Sequence, residues 1–175
     1  MPIIIDQNHV IKTKSKEHFL HPGDFYFAKT PEKIGTLLGS CIAITVWHPV
    51  LKIGGMCHFV LPKQPHGNAH RQLDGRYADN TIKLFEQSAK KHRTSLNEYK
   101  AKIFGGGNHL PGQSEKQDTI GIKNAEAAMT LLIEKNVDIL VADVGENWAR
   151  RVIFELQTGD VWVKKSSLDL MEIYD

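Results

Sequence analysis

The chain is 175 residues long, a length typical of one domain, and its hydrophobic fraction of 41% is enough to bury a single core. Its 22 basic and 20 acidic residues nearly cancel, which excludes the basic footprint of a nucleic-acid-binding protein and a polybasic membrane-binding patch. No apolar stretch approaches the roughly 20 residues of a membrane span, and Met1 to Ile5 is too short for a signal peptide, so a cytoplasmic protein without membrane insertion is expected.

The first third of the chain predicts strands. Residues 1 to 24 show little periodicity and are interpreted as a tail or a short edge strand. A strand is expected at Phe25 to Ala28, which is aromatic and bounded by turn residues. Two further strands, Ile42 to Trp47 and Ile53 to Leu61, are joined by the short connection from His48 to Lys52.

Two helices are predicted in the middle of the chain. Apolar residues recur at intervals of three and four between Tyr77 and Lys91 and again between Ile122 and Lys135, which is typical of amphipathic helices. The segment before the first helix, Lys63 to Asp74, is rich in Pro, Gly, His and Asn and predicts a long loop.

Strands are also expected at Lys102 to Phe104 and Ile139 to Val144. A hairpin follows, formed by Arg151 to Leu156 and Val161 to Lys165 around a turn that contains glycine. Many strands in hairpin order together with two helices indicate an α+β domain with a largely antiparallel sheet.

Cys41 and His58 form a candidate catalytic pair. Leu37-Leu38-Gly39-Ser40-Cys41 predicts a turn that presents a cysteine, because Gly-Ser lets the backbone turn tightly and leaves nearby N–H groups free for a developing oxyanion. If the next two strands are antiparallel, Cys41 and His58 lie near the same end of the pair, since each is about equally far from the connection. A thiol beside a histidine base is an arrangement of nucleophilic catalysis.

The same residue types also have a structural interpretation. A free cysteine is among the most often buried residues, and a histidine beside apolar residues is more often a core or surface residue than a base. The chain has only two cysteines, which does not indicate a disulfide framework. Cys57 is interpreted as a core residue, because adjacent side chains on a strand point to opposite faces and Cys57 then faces away from His58.

Two other motifs do not support cofactor binding. Gly105-Gly106-Gly107 lacks the Lys-Ser/Thr ending of a phosphate-binding loop. His66 and His70 have a spacing that suits a metal ion only on a helix, and Pro65 and Gly67 argue against one there. No metal ion or organic cofactor is predicted.

Beyond the cysteine and the histidine, six segments of the chain form a recognisable set. They are Thr36-Leu37-Leu38-Gly39-Ser40-Cys41, Gly54-Gly55-Met56-Cys57-His58-Phe59-Val60-Leu61-Pro62, Arg76-Tyr77-Ala78-Asp79, Lys102-Ile103-Phe104-Gly105-Gly106-Gly107-Asn108, Ile120-Gly121-Ile122-Lys123-Asn124 and Thr158-Gly159. Together they resemble the chemoreceptor glutamine deamidase family, CheD, and they occur in that family's order. The resemblance covers roughly Gly23 to Lys165.

The resemblance implies both a fold and an activity. The fold is a single-domain layered α-β-β sandwich with two main helices, similar to cysteine deamidase toxins, over residues 25–165, between an N-terminal segment 1–24 and a C-terminal tail 166–175. The activity is that of a protein-glutamine glutaminase. It hydrolyses glutamine side chains of methyl-accepting chemotaxis receptors to glutamate, with release of ammonia and without a cofactor.

The resemblance also implies the site residues. Cys41 is the nucleophile, His58 the general base and acid, and Thr36 a third polar member. An alternative is that Thr36 is structural, at the start of the turn, since family members often have their threonine where this chain has Gly35. The oxyanion donors or site wall are implied at Gly39, Ser40 and Asn108.

A departure from the family pattern lies between Asp143 and Arg150, where Glu146 and Ala149 replace glycines. This loop is expected at the rim of the site, with Asn147 and Arg150 as candidate substrate contacts. The implied partner is the cytoplasmic region of a chemoreceptor. Two alternatives stay open: a regulatory partner of a CheC-type response-regulator phosphatase, and a different cysteine amidase.

Overall fold

A computed structural model describes residues 16–29, 32–66, 72–108 and 119–167. Within these ranges the chain forms nine strands and two α-helices in one α+β domain, as predicted. The strands are β1 (Glu17–Leu20), β2 (Phe25–Lys29), β3 (Lys33–Leu38), β4 (Ile42–His48), β5 (Ile53–Cys57), β6 (Lys100–Gly105), β7 (Asp138–Val144), β8 (Trp148–Glu155) and β9 (Val161–Ser167). The helices are α1 (Ala78–Lys91) and α2 (Ile120–Glu134), with a short 3-10 helix at Leu96–Glu98 between them.

The strands form two sheets. Five strands make one sheet in the order β2-β5-β4-β6-β7, and four make the other in the order β1-β3-β8-β9. Most neighbours are antiparallel, but β1 pairs with β3 and β6 pairs with β7 in parallel. The sequence pattern of each strand does not predict which sheet the strand joins, because several paired strands lie far apart in the sequence.

The layering follows from the two faces of β4. Ile42, Ile44 and Val46 alternate on one face and pack in a core with both helices. Ala43 and Trp47 point the other way, into a core shared with the four-stranded sheet. The layers are therefore helices, five-stranded sheet and four-stranded sheet, which confirms the α-β-β order. The likeness to deamidase toxins stays a prediction.

Most predicted elements are confirmed in type, with boundaries that shift by up to three residues. The strand predicted from Ile53 to Leu61 is too long, because it ends at Cys57. Beyond that point the N–H groups of Val60 and Leu61 both donate to the carbonyl of Arg76, so the backbone leaves the sheet ladder. Residues 1–15, His70 and residues 168–175 lie outside the described ranges.

The prediction for the residues just before Cys41 is also corrected. Leu37 and Leu38 belong to strand β3, and the turn is confined to residues 39–41. The sequence pattern does not indicate this strand, because Gly35 has no side chain and Leu37 is exposed, which weakens the alternation of apolar and polar residues. Thr36 therefore lies inside a strand and not at the start of a turn.

Neither described α-helix is long and apolar enough to cross a lipid bilayer. Helix α1 has 14 residues and α2 has 15, whereas a span takes about 20.

Candidate active site

The turn that carries Cys41 is held by its three carbonyl groups. The carbonyl of Gly39 accepts a hydrogen bond from the N–H of Gly107 at 2.9 Å, and that of Cys41 accepts from the N–H of Gly106 at 2.9 Å. The carbonyl of Ser40 accepts from the side-chain amide of Asn124 at 3.2 Å. Every carbonyl of the turn therefore points toward the segment after β6 or toward helix α2.

This anchoring directs two backbone N–H groups the other way. A peptide group is planar and trans, so the N–H of Ser40 points opposite to the Gly39 carbonyl, and the N–H of Cys41 opposite to the Ser40 carbonyl. Within the described ranges no residue accepts a hydrogen bond from either group. Two adjacent donors beside a thiol are the arrangement that stabilises an oxyanion.

His58 lies on the same face of the sheet as Cys41. Ile42 and Phe59 exchange backbone hydrogen bonds of 3.1 and 3.0 Å, and both side chains lie in the core with the helices. Their neighbours Cys41 and His58 therefore face the four-stranded sheet. In this register the two are diagonal cross-strand neighbours, roughly 7–8 Å apart at the backbone, a separation that an imidazole side chain can bridge.

Thr36 reaches His58 from the other sheet. Its Oγ1 lies 2.7 Å from Nδ1 of His58, and both residues are buried. The same hydroxyl donates its single hydrogen to the carbonyl of Leu20 at 2.8 Å, so it must accept from His58. Nδ1 of His58 therefore carries the proton, and Nε2 is left with the free lone pair that a base needs.

The two faces of β3 distinguish Thr36 from Gly35. Adjacent side chains on a strand point in opposite directions, and the Cβ that Gly35 lacks would contact the carboxylate of Glu17 on the outer side of the sheet. A threonine at position 35 could not reach His58 in this register. Thr36 is the threonine whose hydroxyl contacts the histidine.

Both groups of the candidate pair are uncharged at neutral pH. Burial raises the pKa of the Cys41 thiol above its usual value. Burial also lowers the pKa of His58 to about 4, an effect that the nearby Asp24 partly opposes. The resting site therefore holds a thiol and a neutral imidazole, whose Nε2 is available to accept a proton.

The low pKa of His58 predicts a loss of stability in acid. The imidazole of His58 binds a proton near pH 6.5 in the unfolded chain but only near pH 4 in the folded chain. The contribution of the neutral imidazole to the free energy of unfolding is therefore complete above pH 6.5 and is lost as the pH falls toward 4. Between pH 7 and pH 5 we expect wild type to lose about 2 kcal/mol from this group. Urea unfolding of wild type and His58→Gln at both pH values measures it. An equal loss in both proteins would contradict the assignment.

Thr36→Val is expected to lower kcat by about 10- to 100-fold with little change in KM, because the ring loses the acceptor that fixes its tautomer. Thr36→Ser keeps the hydroxyl and is the matched control, which we expect to retain most activity. Steady-state kinetics on a glutamine substrate compare the two. A valine variant as active as the serine variant would rule out this role for the hydroxyl.

The glycine segment at the end of β6, residues 105–107, is named the glycine wall because it bonds the turn that carries Cys41. Gly105 and Gly106 have positive φ angles, and residues 105–107 are buried. Asn108 extends this wall, since its Oδ1 accepts from the Thr119 hydroxyl at the start of α2 and its N–H donates to Glu146. These bonds tie Asn108 to α2 and to the 145–147 loop, and its role at the site stays a prediction.

Arg150 is not a substrate contact at the rim, contrary to expectation. Its side chain is fully buried, and its guanidinium donates to Asp143 at 3.2 Å and to the carbonyl of Gly145 at 2.9 Å. A weaker contact of 3.5 Å reaches the carbonyl of Gly105. Because Ala149 and Arg150 belong to strand β8, the loop itself is only residues 145–147. The buried guanidinium of Arg150 stabilises that loop and the glycine wall through its bonds to Gly145 and Gly105.

The second cysteine is separated from the site by the sheet. Cys57 is fully buried in the core with the helices, where burial raises its pKa to about 12. This confirms that it faces away from His58. Both cysteines are free thiols. Among the described residues no three His, Cys, Asp or Glu side chains cluster as metal ligands.

Comparisons with known proteins identify the family of the chain. The family model described as CheD chemotactic sensory transduction matches residues 60–165, more than half of the chain. The chain belongs to the CheD family. A relative from Pseudomonas syringae pv. tomato, named "Probable chemoreceptor glutamine deamidase CheD", is 39% identical over 158 residues, covering 89% of this chain and 93% of its own.

CheD relatives from other bacteria give similar values. A Dechloromonas aromatica protein is 42% identical over 149 residues, with 84% of this chain and 86% of its own covered, and one from Leptospira interrogans is 34% identical over 154 residues, with 84% and 91% covered. An alignment covering 89% of 175 residues leaves about 19 outside, so the Pseudomonas alignment spans Cys41 and His58 although the family model begins after them.

Proposed function

We propose that this CheD-family protein hydrolyses glutamine side chains of chemoreceptors to glutamate, with Cys41 as nucleophile and His58 as general base and acid. The observation that carries the proposal is the Thr36–His58 hydrogen bond, which leaves Nε2 of His58 unprotonated on the face that Cys41 shares. The names of the relatives supply the substrate class.

The first half of the reaction forms a thioester. Sγ of Cys41 attacks the side-chain amide carbon while Nε2 of His58 takes the thiol proton. The N–H groups of Ser40 and Cys41 stabilise the oxyanion that develops on the amide oxygen. His58 then gives its proton to the amide nitrogen, the C–N bond breaks, and ammonia leaves.

The second half regenerates the enzyme. His58 takes a proton from a water molecule, whose oxygen attacks the thioester carbon. The C–S bond breaks, glutamate is released, and the proton on His58 returns to the sulfur of Cys41. Proton transfer therefore cycles through one nitrogen. The neutral resting imidazole suits this sequence because it begins as an acceptor.

The receptor's cytoplasmic region is the substrate in this proposal, so the protein acts in the cytoplasm. Recognition must accept the surface of a folded receptor, and the half-exposed turn of residues 39–41 suits an approach from outside. A CheC-type phosphatase is proposed as a further partner that binds over the same turn.

The test is to incubate the full chain with a chemoreceptor cytoplasmic fragment and to follow glutamine conversion by peptide mass spectrometry and ammonia release. Protein alkylated at Cys41 is the control, and we expect conversion only with untreated protein. No conversion combined with tight binding to a CheC-type phosphatase would favour a regulatory role. Hydrolysis of unrelated amides, but not of the receptor, would favour a different cysteine amidase.

A further inference from the structure

Asn124 on helix α2 connects the two catalytic segments with one side chain. It is fully buried, and its Nδ2 donates to the carbonyl of Ser40 at 3.2 Å and to the carbonyl of Val60 at 2.8 Å. The first acceptor precedes Cys41 by one residue and the second follows His58 by two.

We propose that Asn124 is a positioning residue that holds the N–H of Cys41 in its oxyanion-binding orientation, an inference that rests on the proposed cysteine chemistry. The Ser40 carbonyl and the Cys41 N–H belong to the same peptide group. A donor on the carbonyl fixes the plane of that group and polarises its N–H, which strengthens the bond to an oxyanion. The other oxyanion peptide, ending at Ser40, is held by the backbone N–H of Gly107.

The rest of the asparagine amide supports this role. Within the described residues, Oδ1 of Asn124 is buried and accepts no hydrogen bond. A flipped amide would place this oxygen against two carbonyl oxygens, so the donor assignment is fixed by chemistry. A buried acceptor without a partner is costly. This unfavourable burial occurs at a residue whose amide N–H groups bond the carbonyls of Ser40 and Val60, which lie close to Cys41 and His58 in the sequence.

Two reactions of Cys41 distinguish a loss of the oxyanion donor from a general loss of thiol reactivity or of folded structure. Acylation by 4-nitrophenyl acetate forms a C–S bond, passes through an oxyanion, and releases nitrophenolate as His58 takes the thiol proton. Alkylation by iodoacetamide displaces iodide without an oxyanion, although it needs the same thiol and base. Removing an oxyanion donor outright costs roughly 10²- to 10³-fold in subtilisin.

For Asn124→Ala and the isosteric Asn124→Asp we expect acylation at least about 10-fold slower than wild type, with alkylation within about 3-fold. Ala128→Gly weakens the same helix without touching the site and is the matched control, expected to leave both rates unchanged. Cys41→Ala supplies the background for both reactions. Melting temperatures identify any variant that fails to fold, and Asn124→Ser then replaces it.

An equal fall of acylation and alkylation, or acylation at the wild-type rate, would overturn the proposal. Neither reaction needs a receptor. Wild type that acylates but does not deamidate a receptor fragment would therefore contradict the proposed function while leaving the test of Asn124 intact.

Discussion

Cys41→Ala is expected to abolish receptor deamidation, with a loss of roughly 10³-fold or more, because no other described side chain on that face can form the thioester. Cys41→Ser should be similarly inactive, since a hydroxyl next to a base of pKa about 4 is far harder to deprotonate than a thiol. His58→Gln, which keeps the approximate size but not the base, is expected to lose about 10²- to 10⁴-fold.

Cys57→Ala is the matched control for these variants. It removes the other thiol of the chain from the opposite face of the same sheet, so it should lower stability through a small cavity but leave kcat near wild type. Deamidation rates measured by mass spectrometry, together with melting temperatures, compare the four variants. Activity retained by Cys41→Ala, or lost in folded Cys57→Ala, would remove Cys41 from the role of nucleophile.

Arg150→Met is expected to have the largest effect on stability, about 2–4 kcal/mol of the free energy of unfolding. The guanidinium is fully buried, and its loss leaves the carbonyl of Gly145 without this donor and Asp143 without one of its two cationic partners. Because the glycine wall that Arg150 supports also bonds the Cys41 carbonyl, we expect activity to fall as well.

The neighbouring Arg151 provides a matched control for Arg150. Its exposed side chain pairs with Glu17 at 3.1 Å on the outer face of the four-stranded sheet, where ion pairs contribute about 0–1 kcal/mol. Arg151→Met should therefore unfold at nearly the wild-type urea concentration. If urea denaturation gave both methionine variants the same stability, the structural role of Arg150 would be wrong.

Local patterns predicted the elements whose partners are close in sequence. The apolar run of β4, the stripe of α1 and the β8–β9 hairpin each carry their signal within about 15 residues, and each was found. What failed depends on tertiary packing. Beyond the end of β5, the N–H groups of Val60 and Leu61 bond the carbonyl of Arg76 instead of continuing the sheet. Arg150 is buried against Asp143, Gly145 and Gly105, and its sequence neighbours do not reveal that packing.

The candidate site divides in the same way. Cys41 and His58 flank adjacent strands, so their spacing was informative. The resemblance supplied Thr36. The sheet register shows that a side chain at position 36, and not one at position 35, points toward His58. Asn124 was part of a resembling segment but had no assigned role, since an asparagine on a helix does not reveal that it bonds two carbonyls more than 60 positions away in sequence.

The hydrogen bond between Thr36 and His58 joins the two sheets of the sandwich, because Thr36 lies in β3 and His58 follows β5. The proposed catalysis therefore depends on docking of the sheets and not only on their formation. An acid-induced molten globule would keep the far-ultraviolet circular dichroism of its helices and strands but lose this contact. Enzymatic turnover should consequently disappear before secondary structure does, which makes it a sensitive reporter of native packing.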